Sequence, residues 1–300
     1  MSSIQGRFPP PSLIYERTMI DLHIHSDCSD GALSPEALVE RAHRLGIRAL
    51  ALTDHDTVAG NARAVGAGKP LGLPVLAGIE ISTQWRGLTF HLLGYGVTRT
   101  DGAVASTLEF LVESRRQRNP RMVEKLQHLG VEITMEEVRA RAGGEVVGRP
   151  HFAAVLLAKG VVRSNQEAFD RFLGRGAPAY LDKDRLDPEA ACRLVRDAGG
   201  VAVLAHPGLI VRDRPDLLVP LLDHMTDLGL AGIEAYYSRH DPGQTLQYRN
   251  LARERGLLVT GGSDFHAPGQ GGPELGRGFG GLFVPETCWD ALGERLATGG

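Results

Sequence analysis

The stretch Ile20-Asp21-Leu22-His23-Ile24-His25 alternates apolar and polar side chains, and a period of two predicts a strand that carries both histidines on one face. The next segment supplies the partner element. Ser34 followed by Pro35 predicts a helix N-terminus, with the helix running to Leu45 and stopping at Gly46. Residues 48–53 then read as an apolar strand that ends at Asp54-His55-Asp56. The unit repeats along the chain. Residues 74–81 carry Glu80, 88–95 carry His91, 201–205 end at His206, 232–237 contain Glu234, and 257–260 lead into Ser263-Asp264-Phe265-His266. Helices beginning at Asp187-Pro188, over residues 215–229, and at Asp241-Pro242 separate the later strands.

Strands alternating with helices predict a parallel sheet covered by helices. In a chain of 300 residues with 42% hydrophobic content, a (β/α) barrel of six or seven strands is favoured over an open sheet. Residues 104–180 break the alternation and read as consecutive helices, with capping boxes at Thr134/Glu137 and Ser164/Glu167. They predict an inserted helical subdomain between barrel segments 19–103 and 181–300. Residues 1–18, with three consecutive prolines at Pro9, Pro10 and Pro11, read as a loosely ordered leader.

Bulk properties exclude several classes. Cys28, Cys192 and Cys288 are widely spaced and odd in number, which argues against a disulfide framework or a thiolate zinc site and fits a reducing cytoplasm. A net charge of -3 gives no global field for DNA, and no apolar run reaches the roughly 20 residues that span a bilayer. Neither a membrane nor an obligate protein partner is expected. No GxGxxG or GxxxxGK[ST] spacing follows a strand, so a nucleotide-fold reading is weak.

The histidines carry the chemistry. His23, His25, His55, His91, His206 and His266 all fall on or at the ends of predicted strands, as do Glu80 and Asp264. Barrel enzymes build their sites at strand C-termini, where ligands distant in sequence converge. Imidazoles and carboxylates without thiolates suit manganese, iron or zinc. His43, His128 and His224 lie on predicted helices and read as packing or surface residues, while Arg115, Arg116 and Arg118 read by default as a solvated basic face.

His23-Ile24-His25 with Asp30-Gly31, Thr53-Asp54-His55-Asp56, Gly78-Ile79-Glu80, His91, His206-Pro207 and Ser263-Asp264-Phe265-His266 together resemble the motifs of the PHP (polymerase and histidinol phosphatase) family of amidohydrolase-like metalloenzymes. The resemblance implies a distorted (β/α)7 barrel with three divalent ions, manganese first and iron or zinc as alternatives. It implies one ion held by His23, His25, Glu80 and Asp264, a second by Glu80, His91 and His206, and a third by Asp30, His55 and His266. Glu80 would bridge the first two, and Glu80, His206, Asp264 and His240 would take part in catalysis.

Within the family the layout resembles bacterial 3',5'-nucleotide bisphosphate phosphatases, whose relatives also trim short RNA from the 5' end. Arg115, Arg118 and Asn119, Gly148-Arg149-Pro150-His151, and Tyr237-Ser238-Arg239-His240 carry that closer resemblance. It implies that Arg115, Arg118, Asn119, Arg149, His151, Ser238, Arg239 and His240 bind a small phosphorylated nucleotide or short RNA, with arginine forks pairing with phosphate. Water activated by two ions would attack phosphorus in line. The proton for the leaving ribose oxygen is left open between an ion's water, His240 and direct coordination to the third ion. Two rivals stand beside this reading: hydrolysis of histidinol phosphate, and a non-catalytic metal-stabilised module.

Overall fold

A computed structural model describes residues 19–299 apart from 145, 213 and 270, so the expected leader lies outside the described residues. The chain begins β1 (Met19–Ile24), α1 (Pro35–Arg44), β2 (Ile47–Leu52), α2 (Asn61–Leu71), β3 (Val75–Trp85) and β4 (Leu88–Tyr95). Helices α3 (Gly102–His128), α4 (Met135–Arg139), α5 (Arg149–Ala158) and α6 (Asn165–Ala168) follow, the last continued by a π-turn, Phe169–Leu173. The alternation resumes with α7 (Pro188–Asp197), β5 (Val201–Leu204), α8 (Pro207–Ile210), α9 (Leu218–Asp227), β6 (Gly232–Tyr237), α10 (Pro242–Glu254), β7 (Leu258–Gly262) and α11 (Glu286–Ala297). No described helix is long and apolar enough to cross a membrane.

The seven strands form one nearly closed barrel in the order β1 to β7. One expectation fails here. The sheet is mixed, because β4 runs antiparallel to both β3 and β5 while the other pairs are parallel. Only Arg86 and Gly87 separate β3 from β4, and a parallel crossover needs a dozen or more residues. Both turn residues have positive φ, 47° and 79°, the geometry of a tight two-residue hairpin.

The barrel closes where β1 meets the segment after β7. The His25 N–H donates to the Phe265 carbonyl at 2.9 Å, and the Asp264 N–H donates to the His23 carbonyl at 2.8 Å. Gly262 permits this approach, since a Cβ there would sit 2.3 Å from that of His23. Asp21, fully buried, fastens the seam by accepting from the Ser263 N–H (2.8 Å), the Ser263 hydroxyl (2.5 Å) and the Gly276 N–H (2.7 Å).

Helix starts follow local chemistry. Ser34, Asp187 and Asp241 each accept from a backbone N–H three residues on, and Thr134 forms its full capping box with Glu137. Ser164 accepts from the Glu167 N–H, but the Glu167 carboxylate turns to the Arg163 N–H instead. Helices α2 and α11 were not predicted; neither has a side-chain cap, and α2 contains Gly66, Gly68 and Pro70.

Of the four apolar clusters among the described residues, α3 joins two. Val104 and Leu111 pack with barrel residues such as Ile81, Leu92 and Leu204. Met122, Val123 and Leu126 pack instead with Phe152, Leu156 and Leu173 among the later helices. Between these stretches, Ser114, Arg115, Arg118 and Asn119 are buried without belonging to either core, and there the helix passes the barrel mouth.

Candidate metal centre and its cationic wall

Strand register delivers the histidines to one place. His23 and His25 project from one face of β1, their ring centroids 5.2 Å apart. Glu80 sits fully buried among them, and its two oxygens face different partners. Oε2 lies 3.4 Å from His23 Nε2, 3.3 Å from His25 Nε2 and 2.9 Å from His55 Nδ1. Oε1 lies 2.8 Å from both His91 Nδ1 and His206 Nε2. Asp264 Oδ1 approaches His23 Nε2 at 3.5 Å, His25 Nε2 at 3.2 Å and His266 Nδ1 at 3.6 Å. Asp30 Oδ1 lies 3.3 Å from His266 Nε2, and Oδ2 lies 3.9 Å from His55 Nε2.

Three groups have donor atoms that all lie within 4.8 Å of one another: His23, His25, Glu80 and Asp264; His25, Asp30, His55 and His266; and His55, Glu80 and His91. The first matches the set expected from sequence. The second contains the expected Asp30, His55 and His266 and adds His25; the third has His55 where His206 was expected, because His55 stands between Asp30 and Glu80 with one ring nitrogen towards each. His206 falls outside the third group yet stays 3.3 Å from His91 Nδ1.

The residues fit divalent cations. Among the described residues, His23 Nε2, both nitrogens of His25, His55 Nδ1, His206 Nδ1 and Glu80 Oε2 are buried without a partner in hydrogen-bonding geometry, even where an oppositely charged group lies close. Each such atom costs roughly 1–3 kcal/mol if nothing satisfies it, and a shared cation would satisfy several at once. Charge points the same way. Burial alone would lower the His25 pKa, but Asp264 and Glu80 overcome it and push it up to about 10. His23 is likewise held well above its usual range, against burial, by Glu234, Glu80 and Asp264. Carboxylates that drive neighbouring imidazoles to hold protons create a demand for positive charge that metal ions meet.

The backbone is bent to suit. His206 and Asp264 have φ of 27° and 57°, left-handed positions that few non-glycine residues adopt, and each directs a side chain into the cluster. Glu234, to which the sequence reading gave no role, is the strut behind two of these residues. Its Oε1 pairs with His23 Nδ1 at 3.0 Å and its Oε2 accepts the His206 N–H at 2.7 Å. Such carboxylates fix the tautomer and orientation of a ligating imidazole. The Tyr237 hydroxyl donates to Asp264 Oδ2 at 2.9 Å.

Beside the cluster opens a cleft of about 410 Å³ whose far wall comes from α3, α5 and residues 181–185. Arg115, Arg118, Arg149, Lys183 and Arg185 all line it. Arg115 donates to Asp56 Oδ2 at 3.2 and 2.5 Å, and Lys183 donates to the same oxygen. Asp56 also accepts the Ser82 N–H at 2.7 Å, so one buried carboxylate ties the barrel to both cations. Burial and Arg115 press Lys183 down to about 7 against the pull of Asp56. Arg118 is brought down to about 9 by burial and by Arg115, Arg149 and Arg185. Among the described residues no carboxylate lies within ion-pair distance of Arg118 or Arg149. Arg118 donates to Asn119 Oδ1 at 3.0 and 2.7 Å, and Arg149 lies over the Tyr180 ring at 5.2 Å.

Other residues named from sequence lie outside the cleft lining. Asn119 donates to the Val147 carbonyl (2.9 Å), His151 Nδ1 accepts the Gly148 N–H (3.0 Å), and Ser238 donates to the Ser263 carbonyl (2.6 Å). The Arg239 guanidinium covers the Phe279 ring at 5.0 Å. His240 has both ring nitrogens engaged by backbone: Nδ1 donates to the Ala235 carbonyl at 3.0 Å, so Nε2 accepts the Gly208 N–H at 3.2 Å. That removes it as a proton donor in this conformation. It lines a neighbouring cavity of about 330 Å³ with Arg239.

Comparison with known proteins agrees with this geometry. The PHP domain model matches residues 21–191. The chain is 36% identical over 259 residues to a 3',5'-nucleoside bisphosphate phosphatase of Chromobacterium violaceum, covering 86% of this chain and 90% of that one. It is 36% identical over 261 residues to a 5'-3' exoribonuclease of Haemophilus influenzae, covering 86% and 93%. A Bifidobacterium adolescentis structure assigned as a metal-dependent phosphoesterase superposes with a TM-score of 0.83 at 32% identity, covering 96% of this chain and 98% of that one.

Proposed function

The chain belongs to the PHP family and is a metal-dependent hydrolase; we propose that it removes the 3'-phosphate from 3',5'-nucleotide bisphosphates such as adenosine 3',5'-bisphosphate, leaving a nucleoside 5'-monophosphate. Short 5'-phosphorylated RNA is its second substrate. The observation that carries the reading is the pairing of a His/Asp/Glu cluster with a wall of guanidinium groups across one cleft, a layout suited to a substrate with two phosphates. Histidinol phosphate would instead need a free carboxylate for its ammonium group. The lining carboxylates are Asp30, inside the cluster, and Asp182, paired with Arg185.

In this proposal His23, His25, Asp30, His55, Glu80, His91, His206, Asp264 and His266 hold three divalent ions, manganese by preference. Bound ions lower the pKa of their water towards neutrality and neutralise charge on phosphoryl oxygens. The protein's own part is orientation. Glu80 divides its oxygens between the His23/His25 and His91/His206 pairs, so it fixes the spacing at which phosphorus is approached. Glu234 and Tyr237 hold His23, His206 and Asp264 in place. Arg118 and Arg149, without carboxylate partners among the described residues, receive the 5'-phosphate, while Arg115 and Lys183, sharing Asp56, stay fixed as a background of positive charge.

Purified enzyme loaded with manganese should turn over adenosine 3',5'-bisphosphate with a much higher kcat/KM than histidinol phosphate. The reverse preference would overturn the assignment. No turnover of any phosphoester at full metal content would return the non-catalytic module.

A further inference from the structure

A second trench, of about 450 Å³, joins the cleft, and the two share Thr89, Leu209 and Ile210 as lining residues. The junction lies at the cluster's own edge. Thr89 is two residues before His91 on the same face of β4, and Leu209 and Ile210 lie on α8, which His206 caps. The trench lining combines Leu88, Leu209, Ile210 and Leu217 with Arg86, Arg175 and Arg214, and among the described residues it includes no carboxylate. These arginines come from three separate places: the β3–β4 turn, the end of the helical insertion, and the loop after α8. Arg175 donates to the Gly87 carbonyl at 3.5 Å, bridging insertion and hairpin, while Arg214 is paired with Asp216 through two hydrogen bonds of 3.1 and 2.9 Å.

We infer that this trench is the path taken by the nucleotides downstream of the scissile phosphate when the substrate is an oligoribonucleotide. The inference rests on the reading that phosphorus is attacked at the cluster. A mononucleotide bisphosphate ends at its 3'-phosphate and has nothing to place beyond it. In RNA the next nucleoside is attached to that phosphate and must continue out of the cleft, and the trench adjoins it beside His91 and His206. Single-stranded nucleic acid is held by positive grooves that follow the backbone phosphates. Arg86 and Arg175 are the phosphate contacts.

The test uses Arg86→Glu/Arg175→Glu in the full chain, with Arg212→Glu/Arg239→Glu in the neighbouring cavity as the competing route. Two quantities are read. The first is the ratio of kcat/KM for a 5'-phosphorylated hexaribonucleotide to that for adenosine 3',5'-bisphosphate. The second is the affinity of metal-free protein for the same fluorescent RNA across a salt series. The trench variant should lose at least tenfold in the ratio, and its log-affinity against log-salt slope should flatten by about 0.7 per arginine. Equal losses on both substrates, no loss, or a selective loss confined to the Arg212/Arg239 variant would overturn the inference. Should the wild type hydrolyse neither substrate, the proposed function fails, while the salt series still decides whether the trench binds a polyanion.

Discussion

The rim of the barrel and the wall facing it meet the same cleft by opposite means. On the rim, each side chain is aimed by strand register and by backbone strained at His206 and Asp264, and many polar atoms are left without partners. On the wall, cations are delivered by helix packing, and most are already engaged: Arg115 and Lys183 with Asp56, Arg185 with Asp182, Arg118 with Asn119. The rim is incomplete without a cation, whereas the wall is pre-formed. Rim changes should therefore affect metal content and turnover, and wall changes substrate affinity or stability.

The sharpest way to break that contrast is Glu80→Gln, which removes the charge shared by both halves of the cluster. Turnover should fall by about 10³-fold or more with reduced metal by elemental analysis, and retained activity would refute the bridging role. Asp56→Asn comes next, because leaving Arg115 and Lys183 buried without their counter-ion should cost about 3–5 kcal/mol of stability. Chemical denaturation reads this, and an unchanged midpoint would mean the clamp is not a fastening. Glu234→Gln should weaken metal affinity by about 10–100-fold while the fold persists, measured by metal titration. Unaltered affinity would show that His23 needs no strut. The smallest effect is expected for Arg149→Ala, about tenfold in KM for the bisphosphate with kcat held; a fall in kcat alone would place Arg149 with the rim.

The rim was the more legible half in the sequence, and the physics explains why. A strand's period of two states which residues share a face, so His23, His25 and His91 could be read directly from alternation and strand ends. The direction of β4 was also written there, in the two residues Arg86-Gly87, but the rhythm of strands and helices elsewhere obscured it. Helices α2 and α11 lacked capping signals, and glycine and proline in α2 hid it further. Glu234 was visible as a charge on an apolar strand, yet its role depends on a contact across 211 positions of sequence with His23. Lys183 and Asp56 form a pair 127 positions apart, and no local pattern encodes that. The arginine motifs named the right segment, but whether each guanidinium faces the cleft or a neighbouring carbonyl is decided by packing.

The long helix α3 has a consequence for how this mouth behaves over time. Its 27 residues extend about 40 Å, rooted in one apolar core and ending in another, and Pro120 interrupts the amide ladder just past Arg118 and Asn119. Residue 120 therefore contributes no amide to the ladder, beside the residues that greet the substrate. Because α3 is shared by both clusters, protection of amides 114–119 against deuterium should follow whichever core opens first.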